Sequence, residues 1–267
     1  MQHSMSSASQ YVSSLFELTG KTAVVIGGNG TLGGAFCDAL AGAGAHVIVV
    51  GRNADTCQAA VERIQQAGGS AEPLPADSTN RLSLHAVVDH LKASDRACDI
   101  LVNGAGTNSP TPFLDITDDE WHRIIDVNMR SILIACQIFG GYMIERKTPG
   151  SIINIASISA NTPLSRVFTY SATKAAVISL TQNLAREWGP KRIRVNALSP
   201  GFFPAEQNRK VLTPDRVQNI MQHTPVGRFG EPQELGAAIL LMASNAAGSF
   251  LTGANIIVDG GFTATKI

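Results

Sequence analysis

Tyr170 and Lys174 stand four residues apart in Tyr170-Ser171-Ala172-Thr173-Lys174, the opening of a stretch that reads as a helix to about Trp188. Side chains at i and i+4 share a helix face, so the phenol and the ammonium project together. A free phenol titrates near pH ~10 and moves protons poorly at neutrality, whereas an adjacent ammonium favours the phenolate. Lys174 is therefore expected to tune Tyr170 for general acid–base work. Ser157 lies thirteen residues earlier, at the end of an apolar run, where it can hold a carbonyl or alcohol oxygen. Taken alone, Y-x-x-x-K equally describes an ordinary pair on a helix surface.

A second cluster lies near the N-terminus. Directly after the strand candidate Thr22–Gly27 comes Gly28-Asn29-Gly30-Thr31-Leu32-Gly33, a G-x-G-x-x-G, and an Ala-rich helix over Gly34–Ala43 follows. Glycines there permit a tight turn and close backbone approach to a pyrophosphate, which the helix N-terminus favours electrostatically. The alternative is a glycine-rich turn that binds nothing. The next strand ends Val49-Val50-Gly51-Arg52-Asn53, where a fold that prefers NAD usually places an acid against the ribose. Arg52 can instead pair with a 2′-phosphate, and Gly51 removes the carboxylate that would repel it. NADP is thus expected over NAD, with Arg52 as plain solvated surface the competing reading. Asp55 fits first-turn helix chemistry after Asn53. Lys174 has a stem long enough to reach a cofactor ribose as well.

The elements that must carry these residues alternate along the chain. Strand candidates are Thr22–Gly27, His46–Val50, Asp99–Asn103, Ser151–Ala156, Ile193–Leu198 and Asn255–Asp259. Their continuous apolar runs suit strands covered on both faces, and helical stretches separate them. The implied class is α/β: a single-domain, Rossmann-type, doubly wound parallel sheet with helices on both faces. Ala71–Ala76 holds Pro73 and Pro75 and belongs at the sheet edge if it is a strand. Thr117-Asp118-Asp119-Glu120 has the form of a capping box opening a helix to about Glu145. Pro214 and Pro232 suit first helical turns. Residues 1–14, Ser- and Gln-rich, read as a frayed tail before one domain over 15–267.

Composition excludes several classes. The 267 residues carry 21 Lys+Arg and 21 Asp+Glu with no basic run, which argues against a nucleic-acid partner. Cys37, Cys57, Cys98 and Cys136 are scattered and read as reduced core residues, and the six histidines form no metal-ligand set. With neither a signal-like start nor any apolar stretch read as long enough to span a bilayer, the expectation is a cytoplasmic, metal-free protein with no membrane partner.

These features in this order resemble the short-chain dehydrogenase/reductase family: the glycine loop, Ala76-Asp77, Asn103-Gly104-Ala105-Gly106, Asn128, Ser157, Tyr170/Lys174, Pro200-Gly201 and Val258-Asp259-Gly260-Gly261. The resemblance runs from about Phe16 to Gly261. It implies a nicotinamide cofactor, Tyr170 as general acid in reduction, Lys174 as its partner and ribose ligand, and Ser157 polarising the carbonyl. It also implies a proton relay through Asn128, Asp77 near the adenine, Asn103 shaping the cleft floor, and Pro200 and Gly201 beside the cofactor. Ile26, Thr31, Gly104 and Ala205 depart from the family pattern.

Gly201–Arg209 and Thr224–Gly230 look like the subgroup described as D-mannonate (fructuronate) and related sugar-acid oxidoreductases. That resemblance implies a substrate lid around 202–230 and a polyhydroxy carboxylate substrate. Gln207, Asn208 and Arg209 would meet it, with Asn108 and Arg166 as further contacts, and Arg209 as a solvated helix charge is the alternative. A 3-oxoacyl thioester or another less polar ketone is the rival substrate, and a non-catalytic cofactor-binding scaffold is the alternative of a different class. The family also implies a homotetramer built on the 118–145 and 170–188 helices.

Overall fold

The computed structural model describes residues 8–203 and 213–265 and is built on one seven-stranded parallel sheet with helices on both faces. The strands are β1 (Thr22–Ile26), β2 (His46–Gly51), β3 (Ser70–Pro75), β4 (Ile100–Asn103), β5 (Gly150–Ile155), β6 (Ile193–Pro200) and β7 (Asn255–Val258). Their spatial order is β3-β2-β1-β4-β5-β6-β7. The proline-bearing β3 sits at an edge, as its missing backbone donors require.

Alternate residues of each strand feed two cores. Val24, Ile26, Ile48, Val50, Leu101, Ile152 and Val195 face α4 (Arg81–Ala93), the helix beginning at Ser131 and α7 (Phe168–Trp188). Ala23, Val25, Val47, Val49, Ile100, Val102 and Ile153 face α2 (Thr31–Gly42), α3 (Ala54–Gln66) and α9 (Gly236–Ala243). The other helices are α1 (Ala8–Phe16), α5 (Asp118–Ile125), α6 (Ser131–Arg146), α8 (Pro214–Gln222) and the short α10 (Asn245–Gly248). All four cysteines are buried and free.

Three expectations change. Residues 8–16 form a helix where a tail was expected: the half-buried Leu15 and Phe16 dock toward α10, and Ser244 Oγ donates to Leu15 O at 2.5 Å. The helix over Asp118–Arg146 is, by length and composition, apolar enough to cross a bilayer, contrary to the sequence reading. Ile132, Ile134, Ala135, Cys136, Ile138, Phe139, Tyr142 and Met143 of this helix are spent on the protein's own core, while Leu133 is exposed. The capping box forms only by half: Thr117 Oγ1 accepts from Glu120 N at 3.2 Å, but the Glu120 carboxylate turns to Ser109 and Thr111. Five residues in π geometry, Asp126–Arg130, join α5 to α6.

The tightest packing in the fold is backbone on backbone. A Cβ at Gly33 would lie 2.0 Å from the Gly27 carbonyl oxygen. Gly33→Ala is therefore expected to push α2 off β1 and destabilise the protein by about 2 kcal/mol, the scale of overpacking. Urea denaturation measures it, and an unchanged midpoint would show that α2 relaxes freely.

Candidate active site

The strand order reverses between β1 and β4, and open α/β sheets offer a crevice at the carboxyl ends of such a pair. Gly27, with φ +81°, turns the chain out of β1 so close to β4 that a Cβ there would lie 2.8 Å from Ala105 N. Only glycine suits both the dihedral and the gap. The conformationally demanding glycine is thus Gly27, one position before the loop singled out in the sequence. Gly28 is excluded from carrying a side chain by Cys37 Sγ. Gly30 is different: a Cβ there would meet only Gly27 O, at 3.4 Å, so its outer side is an open cradle. Gly30 is also the N-cap of α2 and offers no side-chain cap, leaving the N–H groups of the exposed Thr31 and half-buried Leu32 turn for a ligand.

At the end of β2, the slot beside Gly51 is already filled. A Cβ there would lie 2.2 Å from Asn29 Oδ1, and Asn29 Nδ2 donates to Thr56 Oγ1 at 2.8 Å. Arg52 beyond it is exposed. The N–H of Thr79 holds the Asp77 carboxyl below its usual range, helped by the Thr79 hydroxyl and the charge of Arg52. Arg52 and Asp77 therefore lie within electrostatic reach of one another near the end of β2.

At the other end, Ser157 follows β5 as N-cap of a single 3₁₀ turn, its Oγ accepting from Ser159 N at 3.2 Å, and its hydroxyl lies near enough to the Tyr170 phenol to favour the phenolate. Lys174 follows Tyr170 by one helical turn of α7, with Nζ 5.4 Å from the phenol ring centroid. Nζ donates to Ile155 O at 2.7 Å, and the residue is 3% exposed. Burial pushes the Tyr170 phenol up, partly opposed by the Ser157 hydroxyl. Burial also pulls Lys174 from 10.5 down to about 8. The direction for Tyr170 is the reverse of the one expected from Lys174: desolvation raises the phenol above its usual value.

Asn128, wholly buried at the centre of the π turn, clamps the chain leaving β4. Its Oδ1 accepts from Thr107 N at 2.7 Å, and its Nδ2 donates to Thr107 O at 2.8 Å and Thr173 Oγ1 at 3.3 Å. Thr107 and Thr173 went unnoticed in the sequence because their roles depend on a partner twenty and more residues away. A Cβ on Gly106 would lie 3.5 Å from Asn128 Oδ1 and 3.8 Å from Lys174 Nζ, so both groups border the same backbone.

Other expected residues are placed as follows. Asn103 is 2% exposed and does not floor the cleft: strand alternation turns it to the α6 side, where Nδ2 donates to Asn154 Oδ1 at 2.8 Å. Pro200 ends β6 at the crevice, and Gly201 is required because a Cβ would strike Asp259. Asn108 is exposed, with Oδ1 accepting from Ser109 N at 2.7 Å. Arg166 is exposed and left-handed at φ +58°, strained for a residue with a side chain. Gln207, Asn208 and Arg209 lie outside the described residues.

A family model described as enoyl-(acyl carrier protein) reductase matches residues 28–263. The chain is 35% identical to the uncharacterized oxidoreductase UxuB of Bacillus subtilis, over 92% of this chain and 96% of that protein. The fold superposes with a TM-score of 0.91 on a gluconate 5-dehydrogenase from Burkholderia cenocepacia in complex with NADP and tartrate, at 32% identity over 96% of this chain and 100% of that one. It superposes at 0.88 on a 7α-hydroxysteroid dehydrogenase complexed with NADH and 7-oxo glycochenodeoxycholic acid, at 34% identity over 93% and 96%. The chain belongs to the short-chain dehydrogenase/reductase family.

The lowered Lys174 titration has a thermodynamic sign. Between pH 8 and 10.5 the unfolded chain binds a proton that the folded chain has released, so stability rises with pH across that window. Lys174→Met is expected to lose this rise, which amounts to about 3 kcal/mol for a shift from 10.5 to about 8. Urea midpoints of both proteins at pH 7 and pH 10 check it; parallel changes would refute the buried ammonium.

Proposed function

We propose that this enzyme is an NADP-dependent oxidoreductase acting between a keto sugar acid, or a related polyol ketone, and its secondary alcohol. The observation that carries the chemistry is the buried Lys174 Nζ, 5.4 Å from the Tyr170 ring centroid and anchored on Ile155 O, with the Ser157 hydroxyl close to the same phenol. Gly28, Gly30, Thr31, Leu32 and Gly33, with Asp77, Pro200 and Gly201 beside them, would hold a nicotinamide dinucleotide, which would supply the hydride donor or acceptor. Tyr170 gives its phenolic proton to the carbonyl oxygen in reduction and removes it from the alcohol in oxidation. Ser157 donates to the same oxygen and orients the carbonyl. Lys174 steadies the phenol's charge change, and Asn128 holds the Gly106–Thr107 backbone against it. The phenol kept protonated by burial suits a proton donor.

Two features support the finer reading. Arg52 at the end of β2, with Asn29 rather than a carboxylate beside Gly51, favours a 2′-phosphate and hence NADP over NAD. Asn108 and the exposed Arg166, which makes no ion pair among the described residues, offer a donor and a cation to a hydroxylated carboxylate. Gln207, Asn208 and Arg209, as lid contacts to the substrate, belong to the same proposal. The likeness to the gluconate 5-dehydrogenase complex points the same way. A less polar ketone is the second reading, favoured by the exposed Phe113 (65%), Leu114 (94%) and Phe168 (44%). The apolar, exposed Trp121, Met129 and Leu133, spaced by four or eight along one helix, support a homotetramer.

Purified enzyme with NADPH is expected to reduce 5-keto-D-gluconate faster than a steroid ketone or an oxoacyl thioester; the reverse order would replace the sugar acid by the second reading. Tyr170→Phe is expected to lower kcat about 10³-fold while NADPH binding, read by fluorescence, persists. Arg52→Ser is expected to weaken NADPH roughly tenfold and leave NADH unchanged, as loss of a charge-assisted contact should. Equal weakening of both cofactors would remove Arg52 from the 2′-phosphate.

A further inference from the structure

Glu120 occupies the N3 position of a capping box but does not close it. Its N–H donates to Thr117 Oγ1, while its own carboxylate leaves the helix end for the chain between β4 and α5. There Oε2 accepts from Ser109 Oγ at 3.1 Å and from Thr111 Oγ1 at 2.7 Å. The two hydroxyls are themselves 2.8 Å apart, so the three oxygens close a triangle. A carboxylate, which only accepts, suits such a pair of donors, and charge strengthens both bonds.

The segment so held borders the site. It starts at Gly106, beside Lys174 Nζ and Asn128 Oδ1. Thr107 is fixed by both backbone bonds to Asn128 and by Arg123, whose guanidinium donates to Thr107 Oγ1 at 3.2 Å. The far end is fixed by Phe113, edge-on to Phe168 at 5.2 Å, two residues before Tyr170. Pro110 and Pro112 stiffen the path between. Asn108 is the exception within this fastened stretch. Its Oδ1 is committed to Ser109 N, which orients the amide and leaves the Nδ2 donor without a partner among the described residues. Ser109 is thus gripped twice, at its N–H by Asn108 and at its hydroxyl by Glu120.

We propose that Glu120 is a positioning residue for substrate: by holding Ser109 and Thr111 it presets the Asn108 amide, two residues along the chain from the Gly106 backbone that borders Lys174. It thereby governs affinity for the carbonyl substrate, leaving the proton transfer and the cofactor site alone. The inference rests on the reading above that Asn108 faces a hydroxylated substrate. A capping role would act on α5 stability alone and leave the loop unmoved.

The test uses the full-length enzyme with NADPH and 5-keto-D-gluconate as probe. Glu120→Ala is expected to raise KM roughly tenfold, with kcat within about twofold and the NADPH Kd unchanged. Glu120→Gln, which keeps an acceptor, is expected to restore most of the loss. The double variant Ser109→Ala/Thr111→Val is expected to reproduce Glu120→Ala, and combining all three to add nothing further. Amide hydrogen exchange over residues 107–113 in the NADPH complex is expected to quicken in Glu120→Ala. A fall in kcat at constant KM, additive effects in the triple variant, or unchanged exchange in the loop would each overturn the proposal. If wild type leaves 5-keto-D-gluconate untouched, the sugar-acid reading fails on its own, and the exchange measurement and the additivity of the variants' melting temperatures still decide the Glu120 tether.

Discussion

At the mouth of the sheet, the backbone of Gly27 passes within van der Waals reach of Gly104 and Ala105, and Gly33 presses on Gly27 from the helix side. Three chain segments from different parts of the sequence meet there with no room for a methyl group between them. That crowding joins β1 to β4 across the reversal of strand order and brings the start of α2 against both. The crevice, the open face of Gly30 and the departure of the Gly104–Thr107 chain toward Lys174 all follow from this one near-contact. Relaxing it by an ångström would separate the nucleotide end from the acid–base end.

Desolvation governs the acid–base end more than charge does. Tyr170 and Lys174 share a helix face as their spacing requires, yet the phenol is held protonated and the amine leans toward neutrality. A pair tuned mainly by mutual attraction would show the opposite pattern. The Ile155 carbonyl gives Lys174 its hydrogen bond, and the Ser157 hydroxyl is the polar neighbour of the Tyr170 phenol. The end of β5 and the turn after it thus supply both neighbours, and the geometry of the pair is only as exact as the seating of α7 on that strand.

Much of this was legible in the residues. The apolar runs located every central strand, proline in Ala71–Ala76 marked the edge, and the Tyr170/Lys174 spacing put the two groups together. Patterns that depend on what lies across space were not legible. Asn103 reads as a cleft residue beside Gly104, but β4 alternation sends it into the core to meet Asn154. Thr117 and Glu120 read as a closed box because the competing hydroxyls of Ser109 and Thr111 are invisible to local spacing. Gly51 reads as a missing acid, whereas Asn29 physically fills its place. In each case a long-range partner outbid a local one.

The five π residues between α5 and α6 give the long helix an uncommon property. Each helical residue advances about 100° around the axis. The turn therefore inserts a fixed phase offset between α5, whose Glu120 and Arg123 hold the chain leaving β4, and α6, whose Ile132, Ala135 and Phe139 sit in the core. Removing one residue from 126–130 would yield a more regular helix and a mis-clocked protein, with the two halves keyed to the wrong neighbours. Length in this stretch is consequently a coded quantity: substitutions on its outer face are absorbed one at a time, while a single-residue deletion is read as a rotation of everything before it.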